Sequence, residues 1–402
     1  MTTTMTTATP TMTNPTGVVD AILERVSPVL REHATEGERL RRLPDATAEA
    51  LISAGAFLAQ VPRALGGHEL PPAEFARLVE EIAKVDAGAG WVVGNSSAAA
   101  YAMLAYPEET AREIFADRRA VIAGGLFPPA QAAPVPGGYR VTGQAGFASG
   151  AHLASWVSAF ATIVDDGEPR LGPDGAPTML AVVLRREDCE LLDTWHTMGL
   201  RSTGSHDFRY TDVFVPTDRT WPVAPFDNPN PLFTGPVYRA RLWANFPPLA
   251  MTALGLARAA LDATIQLASS KTPNFNTQPV GASPSVQRLL GRAEAKWRAA
   301  RAYVYETVDE LWQHQLTGRF VTVEHAIDMQ LACAYALEST REVTESLHEI
   351  AGSTGFREES PLERLFRDAH TLSQHAFASP ARFESAAQAI LGREVDWAFF
   401  KL

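Results

Sequence analysis

Hydrophobic residues recur at three- and four-residue steps from Val19 through Ile22 and Val26 to Leu30, which predicts an amphipathic helix starting near residue 17. A second helix runs through Leu51 to a stop at Gly55, and VPRALGGHEL after it is a loop broken by Pro62, Gly66 and Gly67. From Ala73 to about Asp117, small and apolar residues interspersed with Glu and Lys predict two or three more helices. The period shortens near Ala120. VPGGYRVTG reads as a turn into a strand, and MLAVVL, CELLDTW and FRYTDVFVP are short β-rich runs between turn residues. Beyond the Pro- and Asn-rich PVAPFDNPNPLFTGP the helical period returns. Leu254, Leu261 and Ile265 share one face, as do Ile327, Leu331 and Ala334, and later Val343, Leu347 and Ile350. The expected organisation is a disordered tail over 1–16, an N-terminal helical domain over 17–119, a central β-domain over 120–222 and a C-terminal helical bundle over 235–402.

One helix start is well specified: Ser360-Pro361-Leu362-Glu363 supplies a hydroxyl at the N-cap, proline at the first turn and a carboxylate three residues on, predicting reciprocal capping. Continued at 100° per residue, this helix buries Leu362, Leu365, Ala369, Leu372 and Ala376, and sets Asp368 and His375 together on one edge, between core and cavity.

Of 402 residues, 46% are apolar and 20% charged, enough to bury a large core. The 35 basic and 46 acidic residues give a formal charge of −11, with no basic run longer than Arg41-Arg42, which argues against a nucleic-acid partner. Cys189 and Cys333 are the only cysteines and suit neither a disulfide scaffold nor a zinc site, pointing to a reducing cytoplasm. The Thr-rich start has no basic segment followed by an apolar one. The most apolar stretch, Trp91–Tyr106, is interrupted by Asn95-Ser96-Ser97, so neither secretion nor membrane spanning is expected.

Walker A, HExxH and GxSxG motifs are absent, and the histidines show no metal-ligand spacing. GAGWVVG (88–94) is one residue off the spacing of a dinucleotide fingerprint and follows no strand; helix packing accounts for it. Two segments of the β-region are more informative. GFASGAH carries Ser149-Gly150 just after a strand, and MGLRSTGSHDF (198–208) carries Ser202, Thr203, Gly204 and Ser205. Such clusters let hydroxyls and backbone amides approach a planar or phosphorylated ligand, although ordinary hairpin turns have the same composition. Trp156 and Trp195 are either stacking platforms or core residues, and His375 is either a border histidine or a proton-transfer group.

Helices, a β-domain of about a hundred residues, then a four-helix bundle is the order of the acyl-CoA dehydrogenase fold. LISAGAFLAQVPRALGGHEL resembles that superfamily's first-domain signature, TMGLRSTGSHDFRYTDVFVP its flavin segment and LERLFRDAHTLSQH its last helix. A dehydrogenase of this fold needs a carboxylate base, yet the two usual positions are occupied by Ala376 and Ala240. Its Arg-Phe-Gly motif for FAD is replaced by KTPNFNTQPVG, which speaks against tight FAD binding. These departures, together with Ser149-Gly150, GLRSTGS and RDAHTLSQH, resemble the two-component flavin-dependent monooxygenases, a branch that includes hydroxyphenylacetate, hydroxysteroid-phenol and dibenzothiophene oxygenases.

That resemblance implies a homotetrameric oxygenase component. It would receive reduced FMN or FAD from a separate flavin reductase and hydroxylate an aromatic or amine small molecule with O2 through a C4a-hydroperoxyflavin. It further implies that Ser149 bonds near the flavin N5/C4a or the substrate, that Gly150, Trp195 and residues 202–205 help hold the flavin, and that His375 acts as base or proton donor. Several relatives carry another histidine on the helix that reads GWVVGNSSAAAYAM here, so Asn95 or Ser96 occupies the substrate-binding space. The alternatives are an FAD-dependent acyl-CoA dehydrogenase-type oxidoreductase and a catalytically silent small-molecule-binding relative.

Overall fold

The computed structural model describes residues 14–223, 229–240 and 246–397. Most of the expected tail lies outside the described residues, and helix α1 already begins at Pro15 (Pro15–Leu40). The N-terminal helices continue as α2 (Asp45–Ser53), α3 (Pro72–Val85), α4 (Ala87–Tyr101) and α5 (Glu108–Phe115). In α1 the buried apolar side chains are Val19, Ile22, Val26 and Leu30, the stripe that the sequence period marks. α4 differs: it carries GAGWVVG, is apolar nearly all round and is buried on almost every side. That full burial lets one helix line a central cavity.

The middle of the chain forms strands β1 (Ile122–Val135), β2 (Gly138–Ala148), β3 (Trp156–Asp165), β4 (Glu168–Pro169), β5 (Met179–Arg185), β6 (Glu190–Leu192), β7 (His206–Pro216) and β8 (Thr220–Pro222). They make one mixed eight-stranded sheet in the order β6-β7-β2-β1-β3-β5-β8, with β4 added to β3. Among the described residues only the β1–β3 pairing is parallel. Alternate residues such as Val141, Ala159, Val182 and Phe208 enter a shared core. The β2–β7 ladder is irregular between Ala145 and Ala148, and Phe147 there has φ 62. This irregularity throws Phe147 outward and turns the chain at Ser149.

Helices α6 (Phe246–Ser270), α7 (Pro284–Leu316), α8 (Val323–Ala351), α9 (Pro361–Leu372) and α10 (Ala381–Ile390) complete the fold. α6 is the central pillar, packing against α3, α4, α7, α8 and α9. At the start of α9 the Ser360 hydroxyl accepts the Leu362 N–H, but the Glu363 side chain pairs with Arg367 and does not reciprocate. The helix expected to run through His375 stops at Leu372. Ser373 turns its hydroxyl onto the His370 carbonyl, a local bond that competes with continuation of the helix. His375 therefore stands at the N-cap of a short 3-10 turn over 376–378, and Ala376 is exposed instead of buried. No helix among the described residues is long and apolar enough to cross a membrane.

Candidate active site

A cavity of about 230 Å3 lies where α4, the sheet and the segment after α9 meet. α4 contributes Trp91, Asn95, Ser96 and Ala99. The sheet contributes Ile122, Ala123, Ser149 and Phe160, and the far wall includes Leu249, His375 and Phe377. The lining is mostly apolar, so the few polar groups that face it stand out.

Trp91 joins the two residues singled out in the sequence. Its Nε1–H donates to Ser149 Oγ at 2.8 Å, and its ring meets the His375 ring edge-on with centroids 5.3 Å apart. Ser149 and His375 are thus gathered on one indole. Beyond Ser149 the hydroxyls form a row: Ser149 to Ser205 at 2.8 Å, Ser205 to Thr203 at 2.7 Å, and Thr203 to the Leu200 carbonyl at 2.8 Å. Gly150, at φ +74, donates its N–H to the Thr203 carbonyl at 2.8 Å and fastens this row to the end of β2. A side chain at position 150 would be strained in that conformation and would crowd Val92 of α4.

Other residues of the expected flavin set face elsewhere. The Ser202 hydroxyl is directed at Asp86, the N-cap of α4, at 3.4 Å. Gly204, at φ +53, packs on Arg41 and Arg42. Trp195 donates from Nε1 to the Leu200 carbonyl at 3.0 Å and meets Phe147 edge-on; Phe147 lines the cavity, and Trp195 stands behind it without lining the cavity itself. Trp156 is buried with Arg185 and Arg219 over its ring, a packing role. Asn95 and Ser96 both line the cavity, yet Asn95 spends its amide N–H on the Trp91 carbonyl. Ser96 Oγ is buried and has no hydrogen-bond partner.

His375 lines the cavity with a well-defined proton. Its Nδ1 accepts the Phe377 N–H at 3.3 Å, and burial lowers its pKa to about 4, so the ring is neutral near pH 7 and carries its hydrogen on Nε2. Asp368, expected on the same edge, instead reaches into the flavin-segment loop. It accepts the Leu200 N–H at 2.6 Å, and burial followed by the nearby Glu38 raises its pKa to about 7. Sequence reasoning missed Trp91 and this use of Asp368. The one available signal was a large aromatic at position 91 embedded in GAGWVVG, where packing alone favours small residues.

These groups fit a reduced flavin with a small aromatic beside it: the Ser149 hydroxyl for a ring edge, a neutral imidazole and a mostly apolar wall. Among the described residues no cluster of His, Cys, Asp and Glu side chains could hold a metal ion.

Residues 17–120 match the acyl-CoA dehydrogenase N-terminal domain, and residues 248–380 the acyl-CoA dehydrogenase C-terminal domain. Indole-3-acetate monooxygenase of Pseudomonas putida is 34% identical over 382 residues, spanning 93% of this chain and 93% of that protein. HsaA of Rhodococcus jostii, the oxygenase subunit of a flavin-dependent monooxygenase, is 28% identical over 372 residues, covering 90% of this chain and 94% of its own. XiaF from Streptomyces sp., solved in complex with FADH2 and glycerol, superimposes with a TM-score of 0.87 at 24% identity, over 95% of this chain and 97% of its own.

Proposed function

The chain belongs to the acyl-CoA dehydrogenase family, and from that premise we propose that it is the oxygenase component of a two-component flavin-dependent monooxygenase acting on an aromatic small molecule. The observation that carries this reading is the pairing of Ser149 and His375 through Trp91 in an apolar cavity. Bound reduced flavin supplies the two electrons that split O2, one oxygen entering the substrate C–H as a hydroxyl and the other leaving as water. The protein's part is to hold the ring edge at Ser149, exclude water with the walls around Ala99 and Ile122, and place the His375 Nε2–H where oxygen is transferred. A dehydrogenase reading lacks its base. Among the described residues no carboxylate lines the cavity; Ala376 is exposed, and Ala240 is buried away from the cavity.

The decisive experiment adds anaerobically reduced FMN or FAD, then O2, with indole or a phenol present. Hydroxylated product is expected. Bleaching of oxidised flavin by an acyl-CoA, with no aromatic product, would overturn the reading.

Ser96, in this reading, is the substrate contact of the pair offered by the sequence, because its buried hydroxyl lacks a partner while Asn95 is engaged. Ser96→Ala is expected to raise the KM of a substrate with a ring N–H or hydroxyl by about tenfold, one hydrogen bond's worth. The KM of a purely hydrocarbon aromatic should be nearly unchanged, and steady-state kinetics on the two substrates checks this.

The protein works with a separate flavin reductase in the cytoplasm, where the buried free thiols of Cys189 and Cys333 stay reduced. It assembles as a homotetramer through its C-terminal helices. Leu316 and Val323 at the α7–α8 turn, and Ile390 and Leu391 at the end of α10, are exposed apolar groups of the kind that subunit contacts cover.

A further inference from the structure

Two consecutive residues of α9 grip the loop that carries the hydroxyl row. The Arg367 guanidinium donates to the Met198 carbonyl, and the buried Asp368 carboxylate accepts the Leu200 N–H at 2.6 Å. Leu200 itself has φ 51 and ψ 33, a left-handed conformation that a residue with a Cβ holds only under constraint. Its carbonyl is the end of the hydroxyl row.

A carbonyl can only accept, so the Thr203 hydrogen is committed to Leu200. The Thr203 oxygen must then accept from Ser205, and Ser205 from Ser149. At the other end the Trp91 indole can only donate, so Ser149 accepts there as well. The Leu200 end sets the direction, and the Trp91 end is compatible with it. Ser149 has spent its hydrogen and keeps a lone pair for whatever enters the cavity.

Resting on the flavin-site reading above, we propose that Asp368 is a positioning residue: by holding the Leu200 N–H it keeps the left-handed Leu200 backbone, and with it the carbonyl that the Thr203 hydroxyl donates to, in place. It thereby maintains the direction of the Thr203–Ser205–Ser149 chain, so that the site selects reduced over oxidised flavin. Reduced flavin carries a hydrogen on N5, which Ser149 accepts. Oxidised flavin carries a lone pair there, which Ser149 repels. Asp368 does this without lining the cavity.

The test titrates the full chain anaerobically with reduced FMN and, separately, with oxidised FMN. Wild type is expected to bind the reduced form at least about tenfold more tightly, the scale of one well-placed hydrogen bond. Asp368→Asn should keep that ratio within about threefold, since a carboxamide oxygen can still accept the Leu200 N–H. Asp368→Ala and Thr203→Val should bring it close to one, the second by removing the hydroxyl that gives the chain its direction. Amide hydrogen exchange on the flavin-free protein supplies an independent readout: residues 198–205 should exchange faster in Asp368→Ala but not in Asp368→Asn.

A Thr203→Val protein that keeps the tenfold ratio overturns the proposal, whether or not Asp368→Ala folds. So does unchanged exchange across 198–205 in a folded Asp368→Ala. If wild type binds neither form of FMN and, in the same titration, neither form of FAD, the flavin-site reading itself fails, while the exchange experiment still decides whether Asp368 holds the loop.

Discussion

Replacing His375 with alanine is expected to lower hydroxylated product per reduced flavin by about a hundredfold or more, while reduced-flavin affinity stays within about tenfold. The imidazole lines the cavity, yet the hydroxyl row that is proposed to hold the flavin edge ends on Ser149 and Trp91, not on His375. Losing the ring therefore removes a positioned proton and leaves the binding groups in place. The hydrogen sits on Nε2 because Nδ1 accepts the Phe377 N–H, so the neutral ring acts on oxygen transfer as a donor. Burial holds its pKa at about 4, below the ordinary value of 6.5, so the ring keeps one protonation state from about pH 5.5 upward. The pH profile of product yield should accordingly show no histidine inflection between pH 6 and 8 that vanishes in His375→Ala. The sign for stability follows from the same shift. The unfolded chain takes up a proton as pH falls through 6.5 while the folded ring does not, so stability is lost from about pH 6.5 down towards 4. Single-turnover product yield at several pH values is the measurement, and full yield in the variant would reduce His375 to a packing residue.

Ser149→Ala is expected to weaken reduced-flavin binding by about tenfold or more and to divert reduced flavin and O2 into hydrogen peroxide. It removes the lone pair offered to the cavity and also strands two buried neighbours. The Trp91 Nε1–H loses its acceptor and the Ser205 oxygen loses its donor, and a buried polar group left unpaired costs about 1–3 kcal/mol. The variant should therefore unfold at lower denaturant concentration than wild type as well as release more peroxide. Peroxide assay and urea unfolding together check this; a variant with unchanged coupling would mean that Ser149 serves only to anchor Trp91.

Much of the architecture was legible because it is local. The stripe Val19, Ile22, Val26, Leu30 specifies a helix through contacts three and four residues apart, and MLAVVL specifies a strand through alternation and β-branching. Ser149-Gly150 was legible as special for a similar reason, since a glycine held at φ +74 after a strand is a local requirement. The end of α9 was not legible. Apolar spacing extends through Ala376, but it does not register that the Ser373 hydroxyl takes the His370 carbonyl and ends the helix at Leu372.

The sequence by itself determined where most of the helices and strands lie and that hydroxyls and glycines crowd residues 198–205, and the family resemblance pointed to alanines, Ala240 and Ala376, where a dehydrogenase would carry its carboxylate. The tertiary structure alone decided how those groups are used. Ser202 and Ser205 have the same side chain three residues apart, yet one turns to Asp86 and the other to Ser149. Trp91 finds Ser149 across 58 residues and Asp368 finds Leu200 across 168. Periodicity carries no information about such pairs, because a hydrogen bond between distant segments depends on where the packed helices and the twisted sheet bring their ends, not on the residues beside it in the chain.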